Sequence, residues 1–276
     1  MLHPDGRAVN PLMTHRVPSE VSEVSGALFE ARRIQPITLC VVIPMFNEAK
    51  RLAATFATLA ASPLNRPDVQ FLFVDDGSSD GSSDVALAVS QSMPFARRVD
   101  VSTDRQNRGK GSAVRRGMLV ALEQKPDYLA FLDADLSLDP AVLDQALELL
   151  QTEQVSVVVG NRVVNRAQQP PLRRAVSLAF KGLAARLAPT GVADTQCACK
   201  LFTREAAERI FESMQTDGFA FDVEILLRAR REGLLVKEMD VKWRHTHGSR
   251  VNPALEAFRM TRDVLQIRGK VGPPHS

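Results

Sequence analysis

Two aspartates one residue apart, Asp133 and Asp135 of FLDADLSLDP (131–140), carry the sharpest chemistry in this 276-residue sequence. They follow the apolar run YLAFL, so both carboxylates fall at the end of a buried strand, where like charges repel and desolvation is costly. A hard divalent cation, Mg2+ or Mn2+, offsets both effects, because it takes carboxylate oxygens as ligands and bridges phosphate oxygens at the same time. D-x-D alone is common in loops; its weight here comes from its register with other polar motifs. In VDDGSSDGS (74–82) two glycines permit tight turns, and Ser78, Ser79 and Asp80 suit a helix cap, leaving Asp76 to meet a base or ribose. NRGKG (107–111) sets Lys110 between two glycines at a helix start, which suits an anion, although no GxxxxGK[ST] loop occurs. WRHTHGSR (243–250) brings Arg244, His245, His247 and Arg250 beside a glycine and reads as a phosphate-binding loop. The two histidines lack a third metal ligand.

The elements that must hold these residues alternate from residue 37 onward. ITLCVVIP, VQFLFVDD, RRVDVST, PDYLAFLDAD and VSVVVGNR read as strands. Between them AKRLAATFATLAA, SSDVALAVSQS, the stretch from Gly111 to about Gln124, and PAVLDQALELLQ read as helices, the last with Asp139 as N-cap and Pro140 in its first position. Near-continuous apolar strands alternating with helices predict a mostly parallel α/β sheet covered on both faces. Ligands of such sheets bind beyond the carboxyl ends of the strands, where all these polar motifs fall. Further on, CKLFTREAAERIFE reads as strand into helix, FAFDVEILLRARREG as a helix stopped by Gly233, LLVKEMDVKW as a strand and PALEAFRMTRDVLQIRG as a final helix. The expected organisation is a loose N-terminal extension at 1–34, one catalytic domain at 35–269 and a tail at 270–276.

Hydrophobic residues at 45% and charged residues at 24% are ordinary globular values, and a net charge of +3 selects no particular partner. One Trp, one Tyr and scattered basic residues argue against nucleic acid. Cys40, Cys197 and Cys199 lack zinc-site spacing and read as reduced, structural thiols of a cytoplasmic protein. The longest apolar runs are about ten residues, half of the roughly 20 a membrane helix needs. The segment 170–189 places Leu172, Ala175, Val176, Ala179, Leu183 and Leu187 on one helical face and Arg174 and Lys181 opposite. Such a basic amphipathic helix either lies in a membrane surface or packs on the sheet.

VVIPMFNE, VDDGSSDGS, NRGKGSAVRRGM, DADLS, GNR, DTQCACKLFTREAA, GFAFDVEIL and VKWRHTHGSRV stand in the order found in glycosyltransferase family 2. The chain resembles that family over roughly residues 37–268, and most resembles its dolichyl-phosphate β-glucosyltransferase and polyprenyl-phosphate sugar synthase branch. The resemblance implies a GT-A (Rossmann-like) fold and inversion at the anomeric carbon. It implies that Pro44, Phe46 and Glu48 line the nucleotide pocket, that Asp76 holds the base, and that Asp133 and Ala134 contact the donor. Asp135 would be the chief metal ligand. Arg162, Arg244 and Arg250 would meet phosphates, and Arg173 and Ser177 the acceptor phosphate. Asp194 matches an acidic position near the reaction centre. The chain departs from the family in GNR for GSR, in Phe46 for Tyr, in CACK for a CGFK-like run, and in showing no transmembrane helix. That last departure leaves 170–189 as the means of peripheral contact with the cytoplasmic face of a membrane.

The resulting expectation is transfer of a hexose, glucose from UDP-glucose, to a polyprenyl phosphate. A phosphate acceptor is already ionised and needs little base catalysis; a soluble or glycan hydroxyl would need a carboxylate base, with Asp194 or Asp222 as candidates. A non-catalytic sugar-nucleotide binder is the reading of a different class, and the intact DAD speaks against it.

Overall fold

The computed structural model describes residues 38–92, 98–163, 190–243, 262–267, 269 and 271. The described residues form a seven-stranded sheet in the order β3-β2-β1-β4-β6-β5-β7. The strands are β1 (Leu39–Met45), β2 (Val69–Asp75), β3 (Val99–Thr103), β4 (Tyr128–Phe131), β5 (Val157–Val163), β6 (Lys200–Thr203) and β7 (Val236–Lys242). The helices among them are α1 (Ala49–Ala61), α2 (Ser82–Gln91), α3 (Lys110–Glu123), α4 (Val142–Thr152), α5 (Arg204–Phe211) and α6 (Phe221–Arg231).

The apolar strands do what their composition dictates. Every residue of β1 and β2 is buried, and side chains alternate between two cores. Leu39, Val41 and Ile43 pack with Leu52 and Phe56 of α1 and Leu143 and Leu147 of α4. Cys40 and Val42 pack on the other face with Val114 and Met118 of α3, Ile210 of α5 and Ile225 of α6. The result is the mostly parallel, helix-covered α/β sheet that the alternating pattern predicts.

One strand breaks the parallel rule. β6 is antiparallel to both β4 and β5, while β5 and β7 are parallel. β4 and β5 therefore point the same way, and the ends of β1, β2, β4 and β5 share one edge. β6 starts at that edge, since Lys200 pairs with Phe131.

Several boundaries differ from expectation. β4 stops at Phe131 because Asp133 opens a turn, in which Leu136 N–H donates to the Asp133 carbonyl (3.0 Å). The helix expected from Pro140 starts at Val142. Asp139 still accepts from Ala141 N–H (3.0 Å), but Val142 N–H reaches back only to the Asp139 carbonyl, a tight first turn before regular helix. Beyond the final predicted boundary, Val271 packs with Val264 and Ile267 against Ala220 and Val223. The expected extension at 1–34, the segment 170–189 with Arg173 and Ser177, the loop carrying Arg244, His245, His247 and Arg250, and most of 253–269 lie outside the described residues.

Candidate active site

The shared edge is built by loops that hold one another. After β1, Asn47 takes a left-handed conformation (φ 56°). Its N–H donates to Ser78 Oγ (2.8 Å) and its Oδ1 accepts from Ser79 N–H (2.9 Å). Glu48 N–H donates to Ser82 Oγ (2.8 Å) and Ala49 N–H to Asp80 Oδ2 (3.2 Å). Asp75 gathers the same turn from below: its Oδ1 accepts from Ser78 N–H (2.9 Å) and Oγ, and its Oδ2 from Ser83 Oγ. The serines of DDGSSDGS thus tie the first two strand-end loops together. Pro44 is buried within β1, while Phe46, just past the strand, is 44% exposed and offers an open ring at the edge. Glu48 pairs with Arg51 (3.1 Å).

Asp76 reaches the next loop. Though almost fully buried, it accepts from Arg108 N–H (3.1 Å) and Gly109 N–H (2.7 Å). It thereby fixes the start of α3 and the position of Lys110. A carboxylate has about four acceptor sites, so these two bonds do not exhaust it.

The DAD turn is anchored at its middle, where Thr55 Oγ1 donates to the Ala134 carbonyl (2.6 Å). Asp135 Oδ1 accepts from Ser137 N–H (3.0 Å). Lys110 Nζ lies 2.5 Å from Asp133 Oδ1, so a positive charge already sits at the aspartate pair. Burial pulls the Lys110 ammonium down, but Asp133, Asp222 and Asp135 outweigh it and leave its pKa raised. Among the described residues no group of three or more His, Cys, Asp and Glu could enclose a metal. Two half-exposed carboxylates on one turn still fit Mg2+ or Mn2+, which commonly take remaining ligands from phosphate and water.

Beyond this turn lie two further ion pairs. Arg162, at the end of β5, grips Asp194 with both arms (Nε–Oδ2 2.7 Å, Nη2–Oδ1 2.9 Å), and its N–H adds a third bond to Oδ2 (3.3 Å). Burial pulls the guanidinium down, and the Asp194 bonds and charge more than offset this, so it is raised. Lys200, fully buried, donates to Asp222 Oδ1 (2.5 Å) and to the Cys197 carbonyl (2.7 Å). Burial pushes the Asp222 carboxyl up against the pull of Lys200 and Lys110. Cys40, Cys197 and Cys199 are buried, and burial pushes the Cys197 and Cys199 thiols up, as suits structural thiols.

The edge therefore brings together Phe46, Asp76, Lys110, Asp133, Ala134, Asp135, Arg162 and Asp194 from five strand-end loops. Three participants are absent from the sequence-based reading. Asp75 and Thr55 act through loop bonds that no motif spacing reveals. Lys200 had a signal, a lysine opening the apolar strand KLFT, where only a buried partner makes its charge tolerable.

Residues 40–211 match the Glycosyl transferase family 2 family. The chain is 36% identical over 245 residues to the dolichyl-phosphate beta-glucosyltransferase of Mus musculus, covering 83% of this chain and 74% of that one. It is 30% identical over 268 residues to the enzyme of the same name from Saccharomyces cerevisiae, covering 90% and 79%. Among solved structures it is similar to glucosyl-3-phosphoglycerate synthase from Mycobacterium tuberculosis in complex with Mn2+, UDP-glucose and phosphoglyceric acid. There the TM-score is 0.63 at 20% identity, over 95% of this chain and 88% of that one. At that identity the likeness speaks for the fold.

Proposed function

This chain belongs to glycosyltransferase family 2, and from that membership we propose that it transfers glucose from UDP-glucose to a polyprenyl or dolichyl phosphate, inverting the anomeric carbon. The names of its relatives support the sugar and the lipid phosphate. The donor half rests on the DAD turn. The acceptor half rests on one observation: both candidate bases are already committed to cations, Asp194 to Arg162 and Asp222 to buried Lys200. A hydroxyl acceptor needs a carboxylate ready to take its proton. A phosphate monoester, with its second pKa near 6, arrives ionised and needs none.

In this reading Phe46 and Asp76, with Pro44 and Glu48 behind them, receive the uridine. Asp135, with Asp133, would hold Mg2+ or Mn2+, which would supply charge to stabilise the departing diphosphate. Lys110, Arg162, Arg244 and Arg250 supply donors and positive charge to phosphate oxygens as charge builds on the leaving UDP. Arg173 and Ser177 hold the acceptor phosphate. One of its oxygens forms the new bond to the anomeric carbon from the face opposite UDP, and the electron pair of the broken bond leaves on the diphosphate. The segment 170–189 brings the protein to the membrane that holds the acceptor.

The test offers UDP-glucose and other sugar nucleotides, with Mg2+ or Mn2+, to a short polyprenyl phosphate and to soluble sugars, and reads products by mass. Glucosyl polyprenyl phosphate is expected. Product with soluble sugars alone would overturn the acceptor half and leave the donor half standing.

A further inference from the structure

We propose that Lys200 and Asp222 form a positioning pair for the donor site: beneath the DAD turn they anchor an alternating line of charges, Lys200, Asp222, Lys110, Asp133, that sets where Asp133 and its turn sit. The inference rests on the donor reading above and assigns to Asp222 a role other than general base.

One ion pair lies in the core and one at the edge, and the charges of Asp222 and Lys110 act on each other across the gap between them. Lys200 is fully buried, and its Nζ lies 2.5 Å from Asp222 Oδ1 and 5.4 Å from the centre of the Phe131 ring. Phe131 is the last residue of β4, two positions before Asp133. At the outer end Lys110 Nζ lies 2.5 Å from Asp133 and 5.9 Å from the centre of the ring of Phe221, the neighbour of Asp222. The backbones are locked as well. A Cβ on Gly111 would stand 2.7 Å from Phe221 Cβ and 2.3 Å from the Thr216 carbonyl, so the first turn of α3 rests on the start of α6. Glu224 fixes that start by accepting from Gln215 N–H (3.0 Å) and Thr216 N–H (2.8 Å).

The energetics favour a role beyond stability. Taking two charges fully out of water costs more than packing two apolar side chains there, so a buried ion pair is poor value as a fastener. Here its carboxylate, on the neighbour of Phe221, acts through its charge on Lys110, the residue that pairs with the aspartate turn. Outer partners of this kind orient the groups that hold a metal, and losing them typically weakens metal affinity or activity about 10- to 100-fold.

The experiment compares wild type with Lys200→Met, Asp222→Asn and the double variant. It measures urea stability, Mn2+·UDP affinity by calorimetry, and kcat and KM. Lys200→Met strands a buried carboxylate and should lose most stability, Asp222→Asn leaves the Lys200 charge unbalanced but still hydrogen-bonded and should lose less, and the double variant removes both charges and should regain most of the loss. Despite that recovery, its Mn2+·UDP affinity and kcat should remain about 10- to 100-fold down. A double variant that binds Mn2+·UDP as wild type does would overturn the inference. Should the double variant not fold, Asp222→Asn decides, because its amide oxygen still receives Lys200 Nζ. Weakened binding in it supports the pair, and wild-type binding overturns it. If wild type itself does not bind Mn2+·UDP, the donor reading fails and takes this inference with it; if wild type binds and the variants match it, the inference fails alone.

Discussion

At the scale of single residues, the two aspartates of DAD are unequal. Asp133 already shares an oxygen with Lys110, whereas Asp135 is held through the Ser137 N–H. In the proposed mechanism Asp135 would be the chief ligand of a divalent ion. Asp135→Asn should remove several kcal/mol of transition-state stabilisation, roughly three orders of magnitude in kcat, and added Mn2+ should not restore it. Asp133→Asn should cost less and be partly rescued by Mn2+, because Asp135 remains to hold the ion and Lys110, freed of its carboxylate partner, acts wholly on the diphosphate. Initial rates across a Mn2+ titration check the ranking, and equal, unrescued losses would contradict it. The same pair shows how far the residues could be read in advance. D-x-D at a strand end calls for a positive charge, and that much follows from sequence alone. That one such charge comes from Lys110 does not, because the partners stand 23 positions apart and loop bonds such as those of Asp76 to Arg108 and Gly109 aim that lysine.

At the scale of elements, the sheet was legible and its one reversal was not. Fully apolar runs such as LCVVIPM and VQFLFVD announce strands buried on both faces, and the helices between them imply parallel crossovers. Nothing in KLFT states its direction, since alternation encodes faces and not polarity. Yet its antiparallel place between β4 and β5 is what delivers Lys200 to the site edge. The start of α3 is the element on which most depends. A Cβ on Gly109 would lie 2.4 Å from the Asp217 carbonyl, and Gly109 also has φ 115°. A Cβ on Gly111 would lie 2.3 Å from the Thr216 carbonyl. Backbone cannot yield there as a side-chain end can. Gly109→Ala and Gly111→Ala should each cost about 2–4 kcal/mol, in line with overpacking and strain. They should also weaken donor binding by shifting Lys110. Gly81 has positive φ (81°) but open space around its Cβ position. Gly81→Ala should cost only about 1 kcal/mol, the penalty for left-handed backbone without a clash. Urea denaturation of the three variants checks the order, and a Gly81→Ala loss as large as the others would refute the steric account.

At the scale of the whole molecule, the question is how a protein of this kind meets a lipid-borne acceptor. No helix among the described residues is long and apolar enough to cross a membrane. A polyprenyl phosphate keeps its chain in the bilayer and its phosphate at the surface, so a transferase that uses it must work at that surface. The sequence offers 170–189, with Arg174 and Lys181 opposite an apolar stripe, next to Arg173 and Ser177. Each basic residue close to an anionic leaflet contributes about 1 kcal/mol, so replacing Arg174 and Lys181 with Gln should lower partitioning onto anionic vesicles by about 2 kcal/mol, or roughly 30-fold. The attraction is electrostatic, and raising the salt should shrink the difference between variant and wild type as the Debye length falls from about 10 Å at 0.1 M to about 3 Å at 1 M. Flotation with vesicles containing phosphatidylglycerol, at both salt concentrations, measures this directly. The same variant should keep its activity toward a short, water-soluble polyprenyl phosphate, since the donor site is untouched. Loss of activity on that acceptor as well would place the two residues in the acceptor site, and unchanged flotation would remove 170–189 as the membrane contact.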